Sequence, residues 1–386
     1  MTLRVAIIGG NLQGVEAAYL AKKAGWEVLL IDKNPQASAS LLCDRFVPLT
    51  ITPKTDPRQV LERVDLIMPA IENDPVLAVL QKWSVDTGIP MAFDREAYAV
   101  SSSKKKSNAM FRDLGLSTPD PWPQCSFPLV VKPDSESGSQ GVQIIHDRKE
   151  LALKFPTEEA LDRMVAQAYV KGPLYSIEVM GSPGDYTPFQ VTELHMDSTH
   201  DCKRVLAPAE LDPARIHEFE QMATAIAEHI QLRRVMDVEV VLHDGQLKVL
   251  EIDARLPSQT PTAVFHSTGI NVVELLGELC LTGKMTVNPT AQARTTLYEH
   301  IKVVDRHIEV MGEHIMSGAS PLKLVEGLFG ADEVITNYQP GLATWVATLM
   351  LKGKNMEEVL GKRQQTYENI RHGPGRIVSG TDVHEE

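Results

Sequence analysis

The spacing of apolar positions changes several times along this 386-residue chain, and each change predicts a new element. Residues 3–9 are an almost unbroken apolar run, the pattern of a strand buried on both faces of a parallel sheet. A glycine-rich turn follows. A helical repeat over 13–24 then stops at Gly25. Apolar strands return at 27–31, 46–51, 65–70 and 90–93, with helical stretches between them. That alternation predicts a small doubly wound α/β unit over residues 1–97.

A helix over 104–114 and a proline-rich connector at 118–123 open a second unit, taken here as 98–180. Its strands are predicted at 128–133, 142–146 and 164–170. From 174 to 206 the apolar period falls to two, the mark of antiparallel strands with one solvated face. The third unit, 181–386, should hold helices at 213–230, 271–281 and 355–370, strands at 296–304 and 342–351, and a frayed tail at 379–386. The whole reads as a multidomain α/β and α+β protein.

The sharpest departure from simple patterning lies at 237–255. Two β-branched runs flank a His243-Asp244-Gly245 turn and predict a hairpin. Its strands carry Asp237, Glu239, Glu251 and Asp253 among apolar neighbours. Alternate strand residues share a face, so Glu251 and Asp253 project together and Glu239 can join them across the hairpin. Clustered carboxylates are tolerable mainly around a cation. Oxygen ligands suit Mg²⁺, which commonly shares phosphate oxygens with a nucleotide. Arg255 lies on the same face, suited to an anion.

Composition narrows the setting. A net charge of −13 disfavours nucleic acid or an anionic membrane as partner. Cys43, Cys125, Cys202 and Cys280 show no CxxC spacing, so a reducing cytoplasm is expected, without zinc or a disulfide framework. No targeting segment and no membrane-spanning run is expected either. Oligomeric state is not encoded in any pattern of this kind.

Further candidates surround the hairpin. Lys132 ends a strand and precedes a small-residue loop, 134–141, whose backbone and Ser135, Ser137 and Ser139 hydroxyls suit phosphate oxygens; the bland reading is a flexible hairpin loop. Of Lys104, Lys105 and Lys106, one at most should reach a nucleotide, since such runs are usually solvated. Lysines at a helix start oppose its dipole and hint at a local anion. Glu72, just past a parallel strand, and Glu299, in an apolar strand, are candidates for holding a substrate ammonium, although a lone acid is more often structural. Residues 257–263, Pro-Ser-Gln-Thr-Pro-Thr-Ala, read as a braced loop suited to a small polar substrate through Ser258, Gln259, Thr260, Pro261, Thr262 and Ala263. Asp237 and Asp201 are candidate proton acceptors.

The turn at 9–14 imitates a dinucleotide fingerprint, with Asp32 placed as a ribose-binding acid, but Asn11 stands where the motif requires glycine. Its other readings are a tight strand–helix turn, or a wall of a substrate pocket made by Asn11, Leu12 and Gln13.

Lys104, Lys132 with its loop, and Glu239 followed by Glu251-Ile-Asp253-Ala-Arg255 stand in the order found in ATP-grasp enzymes, and the chain resembles that family over most of residues 1–283. Blocks at 9–20, 22–25, 32–37, 144–151 and 251–264 further resemble the ligase family of pyrrolysine biosynthesis, which joins 3-methylornithine to L-lysine. The resemblance implies ATP bound by Lys104, Lys132, Ser137, Ser139 and the strand-end residues Gln167, Ala168, Tyr169 and Val170. It implies two Mg²⁺ on Glu239, Glu251 and Asp253, an acyl-phosphate route, and Arg255 and Lys132 as the catalytic cations. Gln167-Ala168 replace the family's usual acidic pair, which makes Glu178 a candidate for the ribose contact. The competing readings are another amino-acid ligase of the D-alanine–D-alanine type and, more remotely, a NAD(P)-dependent oxidoreductase.

Overall fold

A computed structural model describes residues 2–136, 138, 140–288, 293–319 and 321–372. Ser137, Ser139 and the tail at 379–386 lie outside the described residues. The N-terminal sheet has four parallel strands in the order Arg45–Pro48, Glu27–Asp32, Arg4–Ile8, Leu66–Pro69. The run at 90–93 is not a full strand: Met91 makes a single parallel bridge to Ile67 before the chain turns into the helix Arg95–Ser101.

The helix Lys104–Asp113 begins with a Ser103 cap. The local anion foreshadowed by its lysines is Asp134, which accepts from the Ser103 hydroxyl at 3.0 Å and from the Lys105 amide at 2.8 Å. A three-stranded antiparallel sheet follows: Gln143–Ile145, Leu129–Pro133 and Met164–Ala168, in that spatial order. The phosphate-type loop joins its first two strands in sequence.

An eleven-stranded, largely antiparallel sheet carries the rest. The acidic hairpin, Val235–His243 and Gln246–Asp253, forms one edge and pairs with Leu174–Ser182, a strand that crosses residue 180. Asp244 and Gly245 both take positive φ, as a two-residue hairpin turn of this twist requires. Alternation then decides the faces. Val238 and Ile252 are fully buried with Phe219 and Ala223 of the helix Pro213–His229. Each such side chain contributes about 1.5–3 kcal/mol. That apolar face anchors the hairpin while its other face carries the acids. No single helix among the described residues is long and apolar enough to cross a membrane.

Candidate active site

The hairpin register sets Asp237 opposite Asp253 and Glu239 opposite Glu251, with a bulge just after Glu239. All four line one side of a cavity of about 670 Å³. Cross-strand neighbours sit about 5 Å apart, where two carboxylates repel by about 3 kcal/mol at an effective dielectric near 20. The protein answers that repulsion unevenly. Lys104 Nζ lies 3.0 Å and Lys132 Nζ 3.7 Å from the Glu251 carboxylate. Burial works against ionisation of Glu251, but these two ammonium groups hold it below the usual carboxylate range. At Glu239 the pull of Lys132 and Arg255 is outweighed: burial, then Glu251 and Asp253, push it up to about 7. Burial also pushes Asp253 up to about 7, despite Arg255 Nη2 at 2.8 Å. Asp237, buried against Asp253, is raised well above its ordinary value.

Glu239, Glu251 and Asp253 present oxygen donors on one face, and Glu239 and Asp253 are under-neutralised, a donor chemistry that suits a hard divalent cation. Among the described residues no three acidic, histidine or cysteine side chains meet as a closed ligand set. Mg²⁺ commonly keeps waters and takes substrate phosphate oxygens, so such a site need not be closed by protein ligands alone.

The opposite wall belongs to the three-stranded sheet. Gln167, Ala168, Tyr169 and Val170 line it, and Lys132 reaches across from the neighbouring strand with its Nζ buried. Burial lowers the pKa of Lys132. Lys104 also donates to the Glu136 carbonyl at 2.5 Å, tying the helix to the loop. Lys105 and Lys106 stay exposed, so one lysine of the three enters the site.

Arg255 joins this cavity to a second of about 390 Å³ lined by Asn11, Leu12, Gln13 and Glu72. Its Nε lies 2.6 Å from Glu72, which also accepts from Gln13 at 3.0 Å. Burial opposes the Arg255 charge, but Asp253, Glu72 and Asp237 outweigh it and raise its pKa. Ser258 faces both cavities, while Gln259 and Thr260 face the larger one. Asp201 lines the larger cavity and holds His314, accepting from its amide at 3.1 Å and standing 2.8 Å from Nδ1.

Several sequence expectations change. Residues 257–263 are not one loop: a helix starts at Thr260 and runs to Thr268. Pro261, Thr262 and Ala263 are therefore buried in its first turn and line neither cavity. Glu299 does not face the site. Its fully buried carboxylate is held by Arg204, by Arg363 Nε at 2.8 Å and by Tyr367 at 2.6 Å. Asp32 is used inside the glycine turn, one oxygen accepting from Gly10 at 2.6 Å and the other from Asn34 at 2.7 Å, and it lines neither cavity. Glu178 is fully buried opposite Asp237, away from the Gln167–Val170 wall, and burial pushes it up to about 7. Residues not anticipated are Glu313, which accepts from Ser258 at 2.7 Å, and His314. Nothing in the Gly312-Glu313-His314 stretch signals a site before the sheet brings it there.

An ATP-grasp domain signature matches residues 101–259. The chain is 36% identical to the 3-methyl-D-ornithine–L-lysine ligase of Methanosarcina mazei, covering 94% of each chain. It is 35% identical to that of Methanosarcina barkeri, covering 97% of this chain and 99% of the relative. The fold is shared with an L-amino acid ligase from Bacillus licheniformis, with a TM-score of 0.66 at 19% identity, covering 95% of this chain and 97% of that one. The chain belongs to the 3-methyl-D-ornithine–L-lysine ligase family of ATP-grasp enzymes.

Proposed function

We propose that this chain joins the carboxylate of (2R,3R)-3-methylornithine to the ε-amine of L-lysine, converting ATP to ADP and phosphate, as a step of pyrrolysine biosynthesis. The observation that carries the chemistry is the convergence of Lys104 and Lys132 on Glu251 within a row of under-neutralised carboxylates that ends at Arg255. The full-length relatives supply the substrate pair.

A carboxylate oxygen attacks the γ-phosphorus, ADP leaves, and an acyl phosphate remains. Such a transfer needs alignment and charge neutralisation more than covalent help. Lys104, Lys132 and the amides of the 134–141 loop hold the phosphates, while Gln167, Ala168, Tyr169 and Val170 seat the base. Glu239, Glu251 and Asp253 would hold two Mg²⁺, which supply Lewis-acid neutralisation when bound. The amine nitrogen then attacks the acyl carbon, phosphate leaves, and one proton is lost from the nitrogen. Arg255 holds the charge that develops on the transferring phosphoryl and at the acyl oxygen.

Ser258, Gln259, Thr260 and Asp237 are assigned to the amino acid that is activated. Leu12, Gln13 and Glu72 are assigned to the amine donor, with Asp201 and Asp237 as candidate proton acceptors. The three-stranded sheet and its loop act as a lid that keeps water from the acyl phosphate. The four free cysteines support a cytoplasmic setting, and the net charge of −13 calls for no nucleic-acid or membrane partner.

Incubation with ATP, Mg²⁺ and both amino acids tests the proposal. The expected result is ADP release that requires both amino acids, with the amide product seen by mass. ADP release with D-alanine alone, and none with this pair, would favour the other ligase reading.

A further inference from the structure

Among the buried carboxylates that the ATP site does not use, Glu16 touches the substrate end of the site. Glu16 lies on the first helix, Leu12–Lys23, just past the glycine turn, and is 3% exposed. Its Oε1 accepts from the Thr262 amide at 2.7 Å. Thr262 is in the first turn of the Thr260–Thr268 helix, whose preceding residues line the site.

That helix cannot cap itself. Gln259 stands at its N-cap with φ 72° and ψ −57° and makes no side-chain cap bond. The Thr260 amide bonds back to the Ser258 carbonyl at 2.9 Å, closing a three-residue γ-turn. This turn, with positive φ at a non-glycine residue, is a strained form. The Ser258 hydroxyl, another possible cap, is turned away to Glu313. Pro261 has no amide to offer. The cap therefore comes from a distant part of the chain.

The first helix grips this segment along one face. Tyr19 Oη is 2.7 Å from His266 Nε2. The Leu20 carbonyl accepts from Asn271 at 2.8 Å. Positions 16, 19 and 20 share a helical face, so a single rigid body holds all these contacts. The glycine turn fixes that body tightly: a Cβ at Gly14 would collide with the Gly9 carbonyl oxygen. The side-chain oxygen of Gln259, buried at the cavity wall, has no hydrogen-bond partner among the described residues.

We propose that Glu16 is a positioning residue, which caps the Thr260–Thr268 helix from the N-terminal unit and so holds the strained Ser258-Gln259-Thr260 turn in the geometry that receives the activated amino acid. This rests on the assignment of that turn to the amino-acid end of the site. Burial pushes Glu16 up to about 7, in keeping with a carboxyl that serves as an acceptor rather than as a charge. The same helix carries Leu12 and Gln13 to the second cavity. One element would then set the distance between the two amino acids.

Glu16→Ala and Glu16→Gln decide the matter, read by steady-state kinetics and by hydrogen exchange at the Thr262 amide. Glu16→Ala should raise KM for the activated amino acid about tenfold and speed Thr262 exchange about tenfold, the scale of a lost cap. KM for ATP should stay within about twofold. Glu16→Gln, which keeps an acceptor oxygen, should return both readouts to within about threefold of wild type. Faster Thr262 exchange with unchanged kinetics, or equal rises in KM for ATP and the amino acid, would overturn the proposal and leave Glu16 a structural cap. If the wild type accepts a different amino-acid pair, the substrate assignment fails. The exchange data and the ratio of the two KM changes, taken with the pair accepted, still judge Glu16.

Discussion

Two sites in the same eleven-stranded sheet hold acids, one fully buried and one lining a cavity, and they are built on opposite plans. Glu299 is enclosed by Arg204, Arg363 and Tyr367, so its charge is balanced inside the protein. The hairpin acids are not balanced. Glu251 has two lysines, yet Glu239 and Asp253 are pushed up to about 7 by burial and by neighbouring carboxylates, Glu251 first among them. A buried acid with its partners in place stabilises a fold. A row of acids lacking counter-charge stores an affinity for something that will bring it. The tally of neighbouring cations separates the two, and so does exposure: Glu299 is fully buried, while Glu239, Glu251 and Asp253 are half-buried at the cavity.

The contrast can be broken in measurable ways. The largest effect is expected from Glu251→Gln, which removes the acid that both lysines address. ADP release at saturating Mg²⁺ should fall by about a thousandfold or more, roughly 4 kcal/mol of transition-state stabilisation. Substantial residual turnover would take Glu251 out of the metal site. Glu299→Gln should do the reverse. It leaves two half-buried guanidinium groups short of a partner and should cost about 3 kcal/mol in chemical denaturation, with kcat of the folded fraction within about twofold of wild type. Loss of activity without loss of stability would return Glu299 to the site.

Arg255→Lys keeps the charge but loses the fork that spans Glu72 and Asp253. A drop of about a hundredfold in kcat, with KM for ATP little changed, is expected. The smallest effect concerns Glu16. Its carboxyl is raised from 4.5 to about 7 in the folded protein. Its contribution to stability is therefore complete below about pH 4.5 and is lost as pH rises through 7. Denaturation at pH 5 and pH 8 should show Glu16→Gln losing less stability over that interval than wild type, by about 2 kcal/mol. Parallel pH profiles for the two proteins would mean that Glu16 titrates normally.

The hairpin side of the contrast was open to sequence reading because period-two alternation and a local turn set its register. Residues 237, 239, 251 and 253 had to share a face, and they do. The order of Lys104 and Lys132 before it was equally legible. Glu299 was not, because its partner Arg363 lies 64 residues further on and nothing in the strand around Glu299 points to it. The start of the Thr260–Thr268 helix was hidden by Pro261 and by the positive φ of Gln259, which together read as a loop. Nothing in the helical stretch at 13–24 sets Glu16 apart by type or spacing. Only the approach of Thr262, 246 residues away, gives it a role.

The central claim is that the hairpin site activates a carboxylate by phosphoryl transfer. Isotope tracing tests it most directly. With ¹⁸O in both carboxylate oxygens of 3-methylornithine, one turnover with ATP and L-lysine should place a single ¹⁸O in inorganic phosphate, with ADP unlabelled. Label in AMP, with pyrophosphate released, would mean adenylation and would contradict the account.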